Sequence, residues 1–520
     1  MQQRFLKSLL NPSSYPDTTS AVHLIQTHVS FLFLTDKYVY KIKKPVDFGF
    51  LNFTTLDRRR FYCNEEVRLN RRLSPDMYLG VEEVRESLTG PSFKGDGRII
   101  DYAVKMLRLP EECMLDRMLA EGRVTCADMQ LIARRIAEFH LTADRGAEID
   151  SCGSADSIFR NCEENFQQIS EFVNITLSRH DLNLIRKWVE NFMTRNAALF
   201  ADRVHAGFIR DCDGDIHLEN ICLADQLYIF DCIEFNYRFR YSDTTADIAF
   251  LLMDLDFHRE SGFGAVFLDE YIRVTGDRDV TRLLDFYKIY RAMVRGKVES
   301  FKLHDPHIPA EVKQRARDSA SRYFRLARGY ILRESLSPTL FITCGPMGTG
   351  KSTLVGELAL QLGLENLSSD VVRKTRAGIS PTTHATAEYN EGIYTKTATS
   401  ETYRELLRLA ENLLVEGRSV IIDATFGHRA YRENLHAMAE RIGVSFCIIR
   451  LQCPEKIIKQ RLDGRIHRRG EISDGEWQLY LQQKKEFEYP GNDEGLQIFI
   501  DTSKPLFDTI DTILNEIGIL

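Results

Sequence analysis

The sequence lacks any run of about 18 apolar residues, the length that a membrane-spanning helix requires. Its best candidate, Ala246–Leu255, is interrupted by Asp247 and Asp254. The amino-terminal segment Met1–Leu10 also lacks the apolar core of a signal peptide. We therefore expect a soluble, cytoplasmic protein that does not use a membrane as a partner.

Two further absences narrow the class of protein. The 11 cysteines are scattered and form no C-x-x-C pair, so neither a disulfide framework nor a zinc site is expected. The net charge of −7 does not favour nucleic-acid binding by the protein as a whole, so any such binding would require a local basic face. With 520 residues the chain is too long for one core, so two or three domains are expected.

The pattern of predicted helices and strands changes at Ser335–Pro338, which is the best domain boundary. This boundary predicts domains at 1–336 and 337–520. Strands alternate with helices after this point, which predicts a parallel sheet with helices on both faces and ligands at the carboxyl ends of the strands. The predicted strands are 339–344, 419–424, 445–451 and 497–501, and the predicted helices are 353–362, 400–416, 429–442, 474–488 and 505–518.

The first half has a different pattern, typical of an α+β domain. A hairpin at 31–34 and 38–42, a charged helix over 55–73 and a strand at 99–107 precede a mainly helical stretch. Its last predicted helix, Ala310–Arg333, carries many arginines, and we interpret it as a solvated helix that leads into the next domain.

The stretch Gly345–Thr353 reads G-P-M-G-T-G-K-S-T and fits the phosphate-binding pattern G-x-x-x-x-G-K-[ST] between a predicted strand and a predicted helix. Backbone N–H groups and a lysine bind phosphates in such a loop, and the following hydroxyl can ligate Mg²⁺. We therefore predict ATP or GTP binding, with Mg²⁺. The predicted nucleotide-binding residues are Gly345, Gly348, Thr349, Gly350, Lys351, Ser352 and Thr353.

Further charged residues follow at the carboxyl edge of the predicted sheet. Asp370 could act as a general base towards a hydroxyl acceptor, and Arg373 could bind an anionic group of that acceptor. Asp423 ends a strand where a second Mg²⁺ ligand would sit. Arg461 and Arg465 fall in an arginine-rich segment that extends to Gly470. We interpret it as a mobile lid whose arginines have a catalytic role, stabilising charge on the transferred phosphoryl group, and the alternative is a solvated basic loop.

These residues resemble the small P-loop kinases, and among them the branch of polynucleotide kinase. The resemblance covers about residues 338–520 and rests on the P-loop, the pair Asp370 and Arg373, the strand end D-A-T and the arginine-rich segment. It implies ATP-dependent phosphoryl transfer, with Asp370 as the base towards a 5′-hydroxyl and Arg373 on the phosphate of the acceptor. The identity of the acceptor stays open, because small-molecule kinases share this plan.

The first half contains a second phosphate-site pattern. Asp215, Asn220 and Asp231 have the spacing of a kinase-like site, in which one carboxylate orients the nucleophile and the other two groups hold Mg²⁺. Lys41 could bind phosphates and pair with Glu66. Lys43, on the same strand face, and Glu65 remain alternatives in the two roles.

This half resembles the aminoglycoside-phosphotransferase-like proteins, a branch of the protein-kinase-like fold, over about residues 20–335. Their loop H-G-D-x-H-x-x-N corresponds to D-G-D-I-H-L-E-N here, and Asp247 matches a family residue that braces the site. Together with T-H-V-S, Y-K-I-K-K-P-V-D-F-G-F and L-N-R-R-L, the chain resembles a bacterial family in which such a domain is fused to a predicted P-loop kinase.

Two departures concern catalysis in the first half. Asp213 stands where the family loop has histidine, and it could raise the proton affinity of the site, add a metal ligand or mark a weakened enzyme. The stretch from His23 to Tyr40 contains no glycine, so the usual glycine-rich lid over the phosphates is missing or built differently.

The sequence thus predicts a bifunctional, two-site ATP-dependent phosphotransferase that acts on an alcohol group. Its acceptor would be a nucleic-acid 5′ end or a small molecule, and its oligomeric state stays open. The alternative is a nucleotide-binding regulatory module, with an amino-terminal pseudokinase that docks a partner and a P-loop that acts as an ATP switch.

Overall fold

The computed structural model describes residues 2–49, 51–87, 90–306, 308–379, 395–467 and 474–520. At 2–3, 465–467 and 474–476 it describes the backbone only. Its contacts divide the chain into two units, Met1–Phe324 and Arg325–Leu520. Within the described ranges no helix is both long and apolar enough to cross a membrane.

The first unit contains a six-stranded antiparallel sheet in the order β1-β2-β3-β6-β4-β5. Its strands are β1 His23–Gln26, β2 Ser30–Leu34, β3 Tyr38–Lys43, β4 Tyr78–Ser87, β5 Gly90–Ser92 and β6 Ile99–Leu107. Tyr40 and Ile42 of β3 pack into one apolar cluster with Phe31 and Phe33. Because side chains alternate along a strand, Lys41 and Lys43 point to the opposite face of the sheet.

Helices build the rest of this unit. They are α1 Gln2–Leu9, α2 Leu56–Asn70, α3 Leu115–Ala120, α4 Cys126–Thr142, α5 Ala147–Cys152, α6 Ala155–Ile169, α7 Arg179–Arg195, α8 Ala197–His205, α9 Thr244–Phe257, α10 Ser261–Thr275 and α11 Val280–Phe301, with α12 Ala310–Arg333 crossing into the second unit. Four short strands form two hairpin-like pairs, namely β7 Ile209–Asp211 with β10 Tyr241–Asp243 and β8 Ile221–Leu223 with β9 Leu227–Ile229. Every residue of α9 is buried, so this helix is the centre of the helical part.

The charged segment predicted as a helix over 55–73 is α2, packed on the sheet. Thr55 caps its first turn, since the Thr55 side chain accepts a hydrogen bond from the Arg58 N–H at 3.3 Å. Cys63, Glu66 and Val67 of this helix are buried. An antiparallel sheet with one charged helix against it, followed by a helical part, is the predicted protein-kinase-like α+β arrangement, which is confirmed.

The second unit is built on a five-stranded parallel sheet in the order β12-β13-β11-β14-β15. The strands are β11 Thr339–Cys344, β12 Glu365–Ser368, β13 Val420–Asp423, β14 Ser445–Gln452 and β15 Leu496–Asp501. The helices are α13 Lys351–Leu362, α14 Ser369–Arg376, α15 Lys396–Val415, α16 Arg429–Ile442, α17 Glu455–His467, α18 Asp474–Lys485 and α19 Leu506–Glu516. Helices cover both faces, with α15 and α16 packed on one of them. The predicted P-loop fold class is confirmed.

Two basic segments differ from the solvated loop and the solvated helix described above. The arginine-rich segment up to His467 belongs to α17, in which Ile458 and Leu462 lie one turn apart and pack against Tyr480. Its interpretation as a lid stays a prediction, and its end at 468–470 lies outside the described residues. The helix α12 is not a solvated helix throughout. In its second half Arg328 is only 1% exposed and donates hydrogen bonds to Gln361 and Asp511.

Candidate functional site

The predicted P-loop connects the end of β11 to the start of α13. Gly348 and Gly350 have φ angles of 77° and 88°, in the left-handed region that favours glycine. A Cβ atom at Gly345 would lie 2.9 Å from the backbone oxygen of Leu451, so a side chain would clash there. The loop geometry therefore requires glycine at each of these three positions.

Two side chains close the loop on itself. The Nζ atom of Lys351 donates hydrogen bonds to the carbonyl oxygens of Gly345 at 3.0 Å and Pro346 at 2.9 Å. The Thr349 hydroxyl donates to the Pro346 oxygen at 2.7 Å. Ser352 and Thr353 are exposed in the first turn of α13. The hydroxyl groups and the helix amino terminus thus face solvent, as an anion site requires.

Asp423 ends β13, the strand next to β11, and is 9% exposed. The N–H of Gly345 donates to the oxygen of Thr425 at 3.2 Å, and the Thr343 hydroxyl donates to the oxygen of Ala424 at 3.0 Å. These bonds tie the strand end to the start of the P-loop. Carboxylate and hydroxyl oxygens are the ligands that Mg²⁺ prefers, so Asp423 and Ser352 fit a magnesium site.

Asp370 and Arg373 lie on α14, at the same edge of the sheet. Ser368, in register with Asp423, occupies the N-cap position of this helix, so Asp370 is not the capping residue. The Asp370 carboxylate is half-exposed and 2.6 Å from the Nζ atom of Lys374. The sequence interpretation missed Lys374, although its spacing of four residues from Asp370 on a helix would have indicated the pair.

Arg461 supports the P-loop through Thr502. Its guanidinium donates to the hydroxyl oxygen of Thr502 at 3.1 Å and to the backbone oxygen at 2.6 Å. The Thr502 hydroxyl in turn donates to the oxygen of Thr349 at 2.7 Å. The side chain of Arg465, together with Arg468 and Arg469, lies outside the described residues, so a catalytic role of the arginines stays a prediction.

In the first unit, Lys41 lies between two carboxylates. Its Nζ atom is 2.9 Å from Glu66 Oε1 and 2.5 Å from Asp231 Oδ1. Asp231 follows β9 and has a φ angle of 66°, and its N–H donates to the Tyr78 hydroxyl at 3.2 Å. The predicted lysine, glutamate and aspartate therefore meet, although they come from β3, α2 and the end of a hairpin.

Contacts distinguish Glu66 from Glu65, but they do not by themselves distinguish Lys41 from Lys43. Both Lys41 and Lys43 pair with Glu66, and Glu65 pairs instead with Arg68 on the surface of α2. Lys43 Nζ is 2.6 Å from Glu66 Oε2 and also contacts Glu234, which the sequence interpretation missed.

The ionisation of Glu66 follows from these two lysines. Burial raises the pKa of Glu66, but Lys41 and Lys43 outweigh it and hold the pKa at about 2. Glu66 is therefore a carboxylate at neutral pH and can orient either ammonium group.

The loop between β7 and β8 holds Asp215 and Asn220 together. The amide nitrogen of Asn220 donates to Asp215 Oδ2 at 3.2 Å, and His217 Nε2 lies 3.7 Å from the same oxygen. Burial raises the pKa of Asp215, but the His217 imidazolium and Arg295 outweigh it, and the pKa lies below its usual value. Asp215 is thus ionised and suited to orient a hydroxyl group.

Asp247 braces this loop from α9, as the resemblance implies. Its carboxylate accepts hydrogen bonds from the N–H groups of Asp213 at 3.0 Å and Gly214 at 2.7 Å, and His140 Nε2 lies 3.1 Å away. Asp213 Oδ1 accepts the N–H of Asp215 at 3.2 Å. Burial and the carboxylate of Asp247 raise the pKa of Asp213 well above its usual value, whereas the pKa of Asp215 is lowered. The proton affinity therefore rises at Asp213 itself and not at Asp215, and the other two interpretations of Asp213 stay predictions.

The turn between β1 and β2 takes the place of a glycine-rich lid. It consists of residues 27–29, and the Thr27 hydroxyl oxygen accepts the N–H of Ser30 at 2.9 Å. A turn this short cannot fold over bound phosphates in the way that a longer glycine loop does.

Comparisons with known proteins cover both units. A family model described as an AAA domain matches residues 340–490, which confirms the predicted P-loop domain. The uncharacterised protein Rv2004c of Mycobacterium tuberculosis is 32% identical over 403 residues, which cover 77% of this chain and 78% of that protein. An uncharacterised protein of Mycobacterium bovis, Mb2027c, matches with the same identity and coverage.

Two solved structures of kinases are similar to part of the chain. A choline/ethanolamine kinase family protein from Mesorhizobium loti is 12% identical, with a TM-score of 0.37 over 63% of this chain and 95% of that chain. A gluconokinase from Sinorhizobium meliloti is 20% identical, with a TM-score of 0.25 over 35% of this chain and 92% of that chain.

Proposed function

Because this chain belongs to the family of the mycobacterial protein Rv2004c, whose own name assigns no activity, we propose its function from the geometry of the two sites. The chain is an ATP-dependent phosphotransferase with two nucleotide sites. The P-loop domain, 337–520, transfers the γ-phosphoryl group to a hydroxyl of a nucleic-acid 5′ end or a small molecule. The kinase-like domain, 1–336, is a second phosphotransferase site.

The P-loop beside the end of β13 carries this proposal. The backbone of Gly345–Thr353 supplies N–H groups, and Lys351 supplies a cation next to them. Ser352 and Asp423 would hold Mg²⁺, which neutralises charge on the phosphates when it is bound. Asp370 would accept the proton of the acceptor hydroxyl, and Arg373 would orient the acceptor. Lys374 lies 2.6 Å from the Asp370 carboxylate and would hold it in place on α14.

The first unit supports the second site. Lys41, held by Glu66, would bind the nucleotide phosphates, and Asn220 and Asp231 offer oxygens to Mg²⁺. Asp215, ionised beside His217, would orient the acceptor hydroxyl. These residues thus have separate roles in binding phosphates, holding Mg²⁺ and orienting the acceptor. Catalysis in other phosphoryl-transfer sites also depends on positioning and charge.

The test is a screen of γ-³²P transfer from ATP to nucleic acids with a 5′-hydroxyl, nucleosides and sugars. We expect Lys351→Ala to abolish transfer to one set of acceptors and Asp215→Ala to abolish transfer to another. Glu65→Gln, which removes only a surface ion pair of α2, is the matched control and should change neither set. If neither Lys351→Ala nor Asp215→Ala lowers transfer to any acceptor, the proposal is wrong.

A regulatory module is the second candidate, and two observations in the first unit favour it. Asp213 replaces the histidine of the family loop, and the turn at residues 27–29 leaves no glycine lid. The two candidates differ in turnover. A Lys351→Ala protein that binds ATP with Mg²⁺ but never releases ADP would support a pseudokinase in the first unit.

A further inference from the structure

Two lysines and three carboxylates meet at the end of β3. Glu66 contacts both Lys41 and Lys43 through different oxygens, at 2.9 Å and 2.6 Å. Each lysine has one further carboxylate, which is Asp231 for Lys41 and Glu234 for Lys43. With all three carboxylates ionised, the cluster carries one negative charge more than its two ammonium groups compensate.

Burial separates the cluster into an inner and an outer pair. The side chains of Lys43 and Glu234 are 1% and 7% exposed, whereas those of Lys41 and Asp231 are 13% and 45% exposed. The ammonium of Lys43 also lies 4.9 Å from the centre of the Phe53 ring. A nucleotide can approach Lys41 from the solvent side but cannot reach Lys43.

We propose that Lys43 is a positioning residue of the first site, where it is the permanent counter-ion of Glu66 and Glu234. Because Lys43 holds these two carboxylates, Lys41 can leave Asp231 and bind a nucleotide phosphate. This proposal rests on the proposed second nucleotide site. When Lys41 turns to a phosphate, Glu66 would otherwise be a buried carboxylate with no cation at its side, a costly arrangement. With Lys43 absent, Glu66 and Glu234 would both compete with the phosphates for Lys41.

The net charge of the cluster predicts a change in nucleotide affinity that a packing role of Lys43 does not predict. Lys43→Met keeps the length of the side chain against Phe53 but adds a second uncompensated negative charge. The double variant Lys43→Met, Glu234→Gln returns the cluster to its original net charge. The second change, Glu234→Gln, should therefore restore the nucleotide affinity that Lys43→Met loses. A purely structural role of Lys43 predicts that the double variant loses more affinity than Lys43→Met.

The experiment titrates the full-length chain with ATP and Mg²⁺ in a Lys351→Ala background, so that binding reports only the first site. We expect Lys43→Met to weaken binding by about tenfold or more, equivalent to about 1.4 kcal/mol, and the double variant to recover most of this loss. Arg68→Met, which breaks the exposed Arg68–Glu65 pair on α2, is the matched control and should bind as the background does.

Three results would overturn the proposal. The first is unchanged affinity in Lys43→Met, and the second is a double variant that binds no better than Lys43→Met while both melt cooperatively. If Lys43→Met does not fold, Glu234→Gln alone is compared with the Lys351→Ala background. We expect Glu234→Gln to bind ATP at least as tightly as that background. Weaker binding by Glu234→Gln would be the third result that overturns the proposal. Absence of ATP binding in the Lys351→Ala background itself would instead refute the second nucleotide site, and this proposal with it.

Discussion

At the scale of single residues, the charge of Glu66 is controlled by two lysines of β3. Lys41 and Lys43 hold its pKa at about 2 in the folded chain, compared with about 4.5 in an unfolded one. A carboxylate with a lowered pKa stabilises the fold above the unfolded value and loses this contribution as the pH falls through the folded value. The difference corresponds to about 3 kcal/mol at neutral pH.

This lowered pKa predicts an acid-sensitive first unit. Its stability should fall between about pH 4.5 and pH 2 in part because Glu66 becomes protonated. Urea denaturation at a series of pH values, followed by intrinsic fluorescence, measures the effect. The variant Glu66→Gln should show a shallower pH dependence over this range, and an unchanged slope would contradict the assignment.

The residues that the sequence could identify are those with fixed motif spacing. Lys351, Asp215 and Asn220 stand in short patterns whose chemistry requires that order. Glu234 and Thr502 have no such pattern, because their partners Lys43 and Arg461 are remote in sequence or belong to another element. Only the folded backbone brings these groups together, so periodicity and spacing carry no signal for them.

At the scale of elements, the P-loop depends on backbone conformations that only glycine adopts easily. A Cβ atom at Gly348 would lie 2.8 Å from Ile458 Cγ2, in addition to a φ angle of 77°. The left-handed conformation alone costs a residue with a side chain about 1–2 kcal/mol. The clash with α17 adds to this cost, because a packed core cannot move freely.

We predict that Gly348→Ala lowers the melting temperature and abolishes nucleotide binding by the P-loop. Gly464→Ala is the matched control, since a Cβ atom there meets nothing within 4 Å and Gly464 lies inside α17. Alanine is favoured over glycine in a helix by about 1 kcal/mol, so this control should be neutral or stabilising. Differential scanning calorimetry with and without ATP distinguishes the two variants, and equal behaviour would count against the loop geometry.

The sequence located most elements of the second unit, and the misses have physical reasons. The strands β11, β13, β14 and β15 are apolar runs and were predicted nearly at their bounds. The strand β12 is missed because E-N-L-S is short and half-polar at the sheet edge. The helix α17 is missed because its glycine and arginines indicate a loop, while Ile458 and Leu462, which provide its apolar contact, are too few to show a helical period.

At the scale of the whole molecule, the proposed function assigns one phosphate site to each of the two units. The first unit joins an antiparallel sheet to a buried helix α9, and its site residues come from β3, α2 and two loops. The second unit is a parallel sheet whose carboxyl edge carries the P-loop, Asp370 and Asp423. The fold class of both units was predictable from the order of strands and helices and from the resemblance of their motifs to known families. On this proposal, each unit binds a nucleotide of its own.

Calorimetric titration of the full-length chain with ATP and Mg²⁺ measures how many nucleotides the chain binds and so tests this claim. We predict two ATP molecules per chain, one after Lys351→Ala, one after Lys41→Ala and none when both changes are combined. A wild-type chain that binds a single ATP, with all binding lost in Lys351→Ala and none in Lys41→Ala, would contradict the claim.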